Sequence, residues 1–93
     1  MLIKMKKAAV FFGTGYEEIE ALTVVDLLRR AGIEVVCVAV NNEKSVTGSH
    51  NICVGMDAGI DDIDFDSFDI LVCPGGMPGT KNLEVCETLT KHL

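Results

Sequence analysis

The sequence has little positive charge: 8 Lys and Arg stand against 14 Asp and Glu, giving a formal net charge of −6 and an isoelectric point of about 4.7. Beyond the opening "MLIKMKK", no basic cluster offsets that balance. A nucleic-acid partner is therefore not expected, because phosphate contacts need Lys and Arg concentrated on one surface. Long apolar runs are also missing. The residues after "MLIKMKK" pass straight into a strand pattern, too short for a signal-peptide core or a membrane span. A cytoplasmic protein with no membrane partner is the expectation. No C-x-x-C pair links Cys37, Cys53, Cys73 and Cys86, so zinc-ribbon and thioredoxin sites lack their motif. Most of these cysteines sit in apolar strand-like runs and read as reduced, small hydrophobic residues. Internal repeats and low-complexity segments are absent as well.

What is present is the profile of one soluble domain, with 48% hydrophobic and 24% charged residues in 93. A chain of this size buries only about 60–65% of its unfolded surface, so its stability alone is modest. "KAAVFF" (Lys7 to Phe12) is an almost continuous apolar run, as expected of a strand covered on both faces. Residues 17–31, "EEIEALTVVDLLRRA", carry helical spacing, with Val24, Leu27, Leu28 and Ala31 forming a broad apolar stripe. Acids in the first turn, Arg29-Arg30 in the last and Gly32 as a stop fit the helix dipole and a C-terminal cap. Asp26 is placed to pair with Arg29 or Arg30.

"IEVVCVAV" (Ile33 to Val40) reads as a second buried strand, and Asn41-Asn42 as a turn. Two short strands around Gly48-Ser49 suggest a hairpin at a sheet edge. "AGIDDIDFDSF" reads as an acidic surface segment with room for one helical turn, and "DILVC" (Asp69 to Cys73) as a third buried strand stopped by Pro74-Gly75-Gly76. A further helix starts near Lys81. Strand, helix, strand, then strand and helix is the grammar of an α/β fold: a doubly wound, mostly parallel sheet with helices on both faces. The pattern stops after a helix, so residues 1–93 read as the N-terminal part of a single domain. A further strand is expected beside "DILVC", and its absence leaves an edge that invites pairing with another chain.

Ligands of open α/β sheets bind beyond the carboxyl ends of the strands. Two loops occupy that edge, "GTGYEEIE" after the first strand and "PGGMPG" after the third main one. The first resembles a dinucleotide turn, but G-x-G-x-x-G needs glycine where Glu18 stands, and a carboxylate there repels phosphate. Glu17 and Glu18 are accounted for by the helix dipole. Glu20 shares a face with Val24 and Leu27. A carboxyl sunk in apolar surroundings stays protonated and can donate a hydrogen bond to a thiolate or oxyanion. Gly75-Gly76 permits backbone geometry closed to other residues, and its N–H groups can form an oxyanion hole or simply a tight turn.

Taken together, the strand into "G-x-x-E-x-E" (Gly15 to Glu20), "VDLLRRAG" (Val25 to Gly32), "DILVCPGGMPG" (Asp69 to Gly79) and Asn82-Leu83 resemble the ThiJ/PfpI family, particularly its small single-domain ThiJ/YajL-like branch. The blocks stand in family order and span nearly the whole chain. The resemblance implies a flavodoxin-like sandwich, usually a homodimer, and a reactive cysteine at a strand-to-helix elbow assisted by a protonated glutamate. Carried onto this sequence, that glutamate is Glu20, and the oxyanion-hole pair is Gly75-Gly76. Met77 and Pro78 would then shape the mouth of a binding site. The elbow cysteine would lie beyond Leu93. Cys37, Cys53, Cys73 and Cys86 do not match it, and neither His50 nor His92 matches a partner histidine.

The activity implied is cysteine-dependent chemistry on small reactive carbonyls, glyoxalase- or deglycase-like, with no cofactor and no metal, and with a complementary C-terminal fragment or a second copy as partner. The alternatives are a non-enzymatic redox-sensing or chaperone-like dimer, a cysteine peptidase- or amidase-like hydrolase, and a flavodoxin-like nucleotide- or flavin-binding module, against which Glu18 argues.

Overall fold

The structure is a computed structural model and describes residues 6–73. Its centre is β1 (Lys7–Phe12), in which Ala8 to Phe12 are all fully buried. This explains the continuous apolar run: a central parallel strand has both faces covered, so alternation disappears. β2 (Glu34–Ala39) pairs with β1 in parallel, Lys7 opposite Glu34 and Phe12 opposite Ala39. α1 (Glu18–Arg30) makes the crossover between them. Its C-terminus closes with Gly32 at φ 82°, Gly32 N–H donating to Arg29 and Ile33 N–H donating to Leu28. This double bond pattern is the glycine-terminated cap expected at that position.

The buried side of α1 differs from the expected stripe. Glu18, Ala21 and Val25 are buried, whereas Leu27 is 59% exposed and Ala31 is exposed as well. Small Ala21 and β-branched Val25 face the sheet, Leu22, Val24 and Leu28 pack half-buried against the core beside them, and Leu27 turns outward. Asp26 pairs with Arg30, Oδ2 to Nε 3.0 Å. Arg29 instead spans to the sheet, its Nη2 donating to the Val35 carbonyl (3.1 Å) and lying 3.4 Å from Asp57 Oδ2. Asp57 Oδ2 in turn accepts the Cys37 N–H at 2.8 Å.

After the turn at Asn41-Asn42, where Asn42 takes φ 62°, β3 (Ser45–Thr47) and β4 (Cys53–Gly55) form an antiparallel hairpin. The hairpin is a separate two-stranded sheet, not an edge of the main one. In the acidic segment, where the sequence suggests one helical turn, the structure has a short strand and two such turns. β5 (Ala58–Gly59) pairs with β2, and two short 3-10 turns follow at Ile60–Asp62 and Phe65–Ser67. β6 (Ile70–Val72) then pairs in parallel with the other side of β1, giving the order β5-β2-β1-β6. The described residues thus form a mostly parallel α/β sheet with one α-helix. The helix expected from Lys81, and with it the second helical face, lies outside the described residues.

Candidate functional site

β1 and β6 are adjacent parallel strands, so the segments that leave their carboxyl ends start side by side. The first runs through Gly13, Thr14 and Gly15, the last at φ 88°, into the first turn of α1. It is tied to the hairpin loop by backbone bonds: Gly15 N–H donates to Thr47 (3.0 Å) and Ser49 N–H to Tyr16 (2.9 Å). Tyr16 fixes this segment from below. Its ring is fully buried and meets Phe12 edge-on, with centroids 4.8 Å apart and planes at 88°. Its hydroxyl is buried without a hydrogen-bond partner among the described residues. Burial, and then the nearby Glu18 charge, raise the pKa of that phenol above its ordinary value.

Of the three glutamates, the structure buries Glu18, only 3% exposed, and leaves Glu20 exposed. The apolar setting expected for Glu20 is thus not found among the described residues. Glu18 looks inward because the hairpin loop brings donors to it. Oε2 accepts from the backbone N–H of His50 (2.8 Å) and of Ile52 (3.4 Å). Oε1 lies 2.9 Å from His50 Nδ1 and 3.4 Å from Ser49 Oγ. Desolvation pushes this carboxyl up, but the His50 ring and the backbone N–H groups outweigh it and hold its pKa at about 2. The same carboxylate, with Glu17 behind it, raises the pKa of His50.

The sequence reading missed this cluster. The helix dipole accounts for Glu18 at the level of sequence, and the available signal is a pair of polar residues, Ser49-His50, in the hairpin loop. One atom each of Glu17, Glu18 and His50 lies within 4.8 Å of the others, a spacing that suits metal ligation. Glu18 is nonetheless already supplied with N–H donors, so an ion would have to displace the proton it shares with His50. Gly75, Gly76, Met77 and Pro78 lie outside the described residues, as do Cys86 and His92. A separate cavity of about 420 Å³ opens between Asn42, Lys44, Asp57, Gly59 and Asp62. Glu20, the expected site residue among the described ones, does not line it.

Compared with known proteins, the chain matches the family model for DJ-1/PfpI over residues 6–93. The chain belongs to the DJ-1/PfpI family. Among curated relatives, protein DJ-1 homolog B of Arabidopsis thaliana is 36% identical over 92% of this chain and 20% of its own length. The cysteine protease-like YraA of Bacillus subtilis is 39% identical over 76% of this chain and 42% of its own. A deglycase of Thermococcus kodakarensis is 33% identical over 75% of this chain and 42% of its own. Among solved structures, oxidized Toxoplasma gondii DJ-1 superposes with a TM-score of 0.81 at 37% identity, covering 94% of this chain and 47% of that one. This DJ-1/PfpI chain therefore spans at most about half the length of the relatives it matches.

Of the cysteines in the described DJ-1/PfpI core, Cys37 is buried in β2 and Cys53 is exposed on β4. Burial, and then the Asp57 charge, push the Cys37 thiol up to about 11 despite the Arg29 guanidinium nearby. At neutral pH it is a thiol and a poor nucleophile. No helix among the described residues is long and apolar enough to cross a membrane.

Proposed function

We propose that this chain is part of a cysteine-dependent site acting on small reactive carbonyls, with glyoxalase- or deglycase-like chemistry and a nucleophilic cysteine supplied from outside these 93 residues. The observation that carries the reading is the adjacency of β1 and β6 in a DJ-1/PfpI chain. It starts the Glu20 turn and the "PGGMPG" segment from neighbouring strand ends. The deglycase and the cysteine protease-like relative support the reaction class. In this reading the cysteine sulfur attacks the carbonyl carbon, forming the C–S bond while the π electrons move to oxygen. The N–H groups of Gly75 and Gly76 hold that oxyanion, Glu20 donates a hydrogen bond to the thiolate, and Met77-Pro78 borders the substrate. Cys37 is unsuited to the role because its thiol stays protonated.

Methylglyoxal consumption tests the proposal. The chain alone should be inactive, and mixing it with a complementary C-terminal fragment that carries an elbow cysteine should restore turnover. In that mixture Glu20→Gln should lower turnover by about 10²–10⁴-fold, the range that a positioned proton donor contributes. Turnover unaffected by Glu20→Gln would remove Glu20 from the site. A redox-sensing role is the second reading, favoured by the oxidized form of the Toxoplasma gondii protein. Sulfinate on the elbow cysteine without methylglyoxal turnover would select it.

The partner reading is self-association. Ile19 on α1 is 80% exposed and Ile52 on the hairpin is 50% exposed, and both are large apolar side chains. Replacing both with Asp should halve the sedimenting mass. A dimer that survives the double substitution would place the interface elsewhere.

A further inference from the structure

We propose that the Glu18–His50 pair is a pH-operated latch, holding the β3–β4 loop against the N-terminus of α1 in mildly acidic solution and loosening it as the solution turns alkaline. The two partners differ in a way that suits a switch. The Glu18 side chain is 4% exposed and fixed by the His50 and Ile52 N–H groups, whereas the His50 ring is 67% exposed and can exchange protons with water. A 2.9 Å contact joins Oε1 to Nδ1. With the ring protonated, this is an ion pair and a charge-assisted hydrogen bond, roughly twice as strong as a neutral one. Loss of the Nε2 proton leaves only a neutral Nδ1–H donor facing the carboxylate.

Among the described residues, the other polar or titratable groups near the pair are few. From α1's approach there is Glu17, whose Oε1 lies 3.2 Å from Ser49 Oγ, and from the preceding loop there is the Tyr16 hydroxyl. From the hairpin there is Ser49 Oγ, 3.1 Å from Nδ1. Glu17 adds to the attraction for imidazolium, and Tyr16 is uncharged until far above neutral pH. Among the described residues, no second cation pairs with Glu18.

The signs define a window. His50 is raised above its ordinary 6.5, so its contribution is full below about 6.5 and disappears as pH rises through its folded value. Glu18 is lowered from 4.5 to about 2, so its contribution is full above about 4.5 and disappears as pH falls through about 2. The latch is therefore tightest between about 4.5 and 6.5.

The test is NMR on the intact chain, following the His50 ring and the exchange of the His50 and Ile52 amides from pH 5 to pH 9. After correction for intrinsic exchange, amide protection should fall with rising pH, about tenfold for each unit by which the His50 titration exceeds its unfolded value. His50→Gln, on an exposed side chain, keeps an N–H donor and removes the titration. Its protection should be independent of pH over the same range. A His50 midpoint at or below 6.5, or the same pH dependence in His50→Gln as in the parent chain, would overturn the latch.

Discussion

Phe12→Ala should lower the unfolding free energy by about 3–5 kcal/mol, the range for emptying a buried aromatic site. Phe12 is the last residue of β1, is fully buried, and supports the Tyr16 ring edge-on. Truncation removes the transfer energy of the ring, leaves a cavity, and forfeits an aromatic pair worth about 0.5–1.5 kcal/mol. The loss is large beside a total stability of about 5–15 kcal/mol for a domain of ordinary size. Tyr16 would lose its support, and the loop at residues 13–17 and the first turn of α1, which carries Glu18 and Glu20, should loosen with it. Urea unfolding followed by circular dichroism reads the change as a lower midpoint at an unchanged slope. Leu27→Ala is the matched control: its 59% exposure predicts a loss within about 0.5 kcal/mol. A Phe12→Ala loss below about 1 kcal/mol would contradict the packing beneath the loop.

That control also marks where the sequence was ambiguous. β1, α1 and β2 were legible because a continuous apolar run, a 3.6-residue period and a terminal glycine are local signals. The rotation of α1 was not. Ile19, Leu22, Val24, Val25, Leu27 and Leu28 place apolar residues around most of the helix, so periodicity alone does not select a face. The sheet selected the side with Ala21 and Val25, which permit the closest approach. β5 was illegible for another reason: two small residues before an acidic stretch carry no strand signal, and only pairing with Val38 and Ala39 makes them one. Glu18 is the most informative case. Its burial depends on donors about 30 residues away in the chain, at Ser49, His50 and Ile52. No local pattern reports such a contact. The family blocks, by contrast, were readable as motifs, and they identified the family while saying little about what each glutamate touches.

Gly48 offers the sharpest test of that long-range contact. It is buried where the hairpin backbone lies directly on the Glu18 side chain, and a Cβ built there would sit 2.5 Å from Oε2 and 2.7 Å from Cγ. The carboxyl cannot swing aside cheaply, because two backbone N–H groups and the His50 ring hold it. Gly48→Ala must therefore push the hairpin off α1 or drive Glu18 out of its donors. Overpacking of this kind costs about 1–3 kcal/mol. A rise in unfolded-chain entropy cannot be the cause, since alanine lowers that entropy and by itself would stabilise slightly. The expected signature is specific. Global stability falls, the His50 ring titrates closer to 6.5, and the amides of His50 and Ile52 lose protection together. Gly55→Ala separates this from a general effect of glycine replacement in the hairpin, since a Cβ there meets nothing within 4 Å. If both substitutions lowered stability equally and left His50 titrating as in the parent chain, the hairpin would not be seated on Glu18. If Gly48→Ala alone moved the His50 titration, the contact between loop and helix would be the element that sets the charge state at the mouth of the β1–β6 edge.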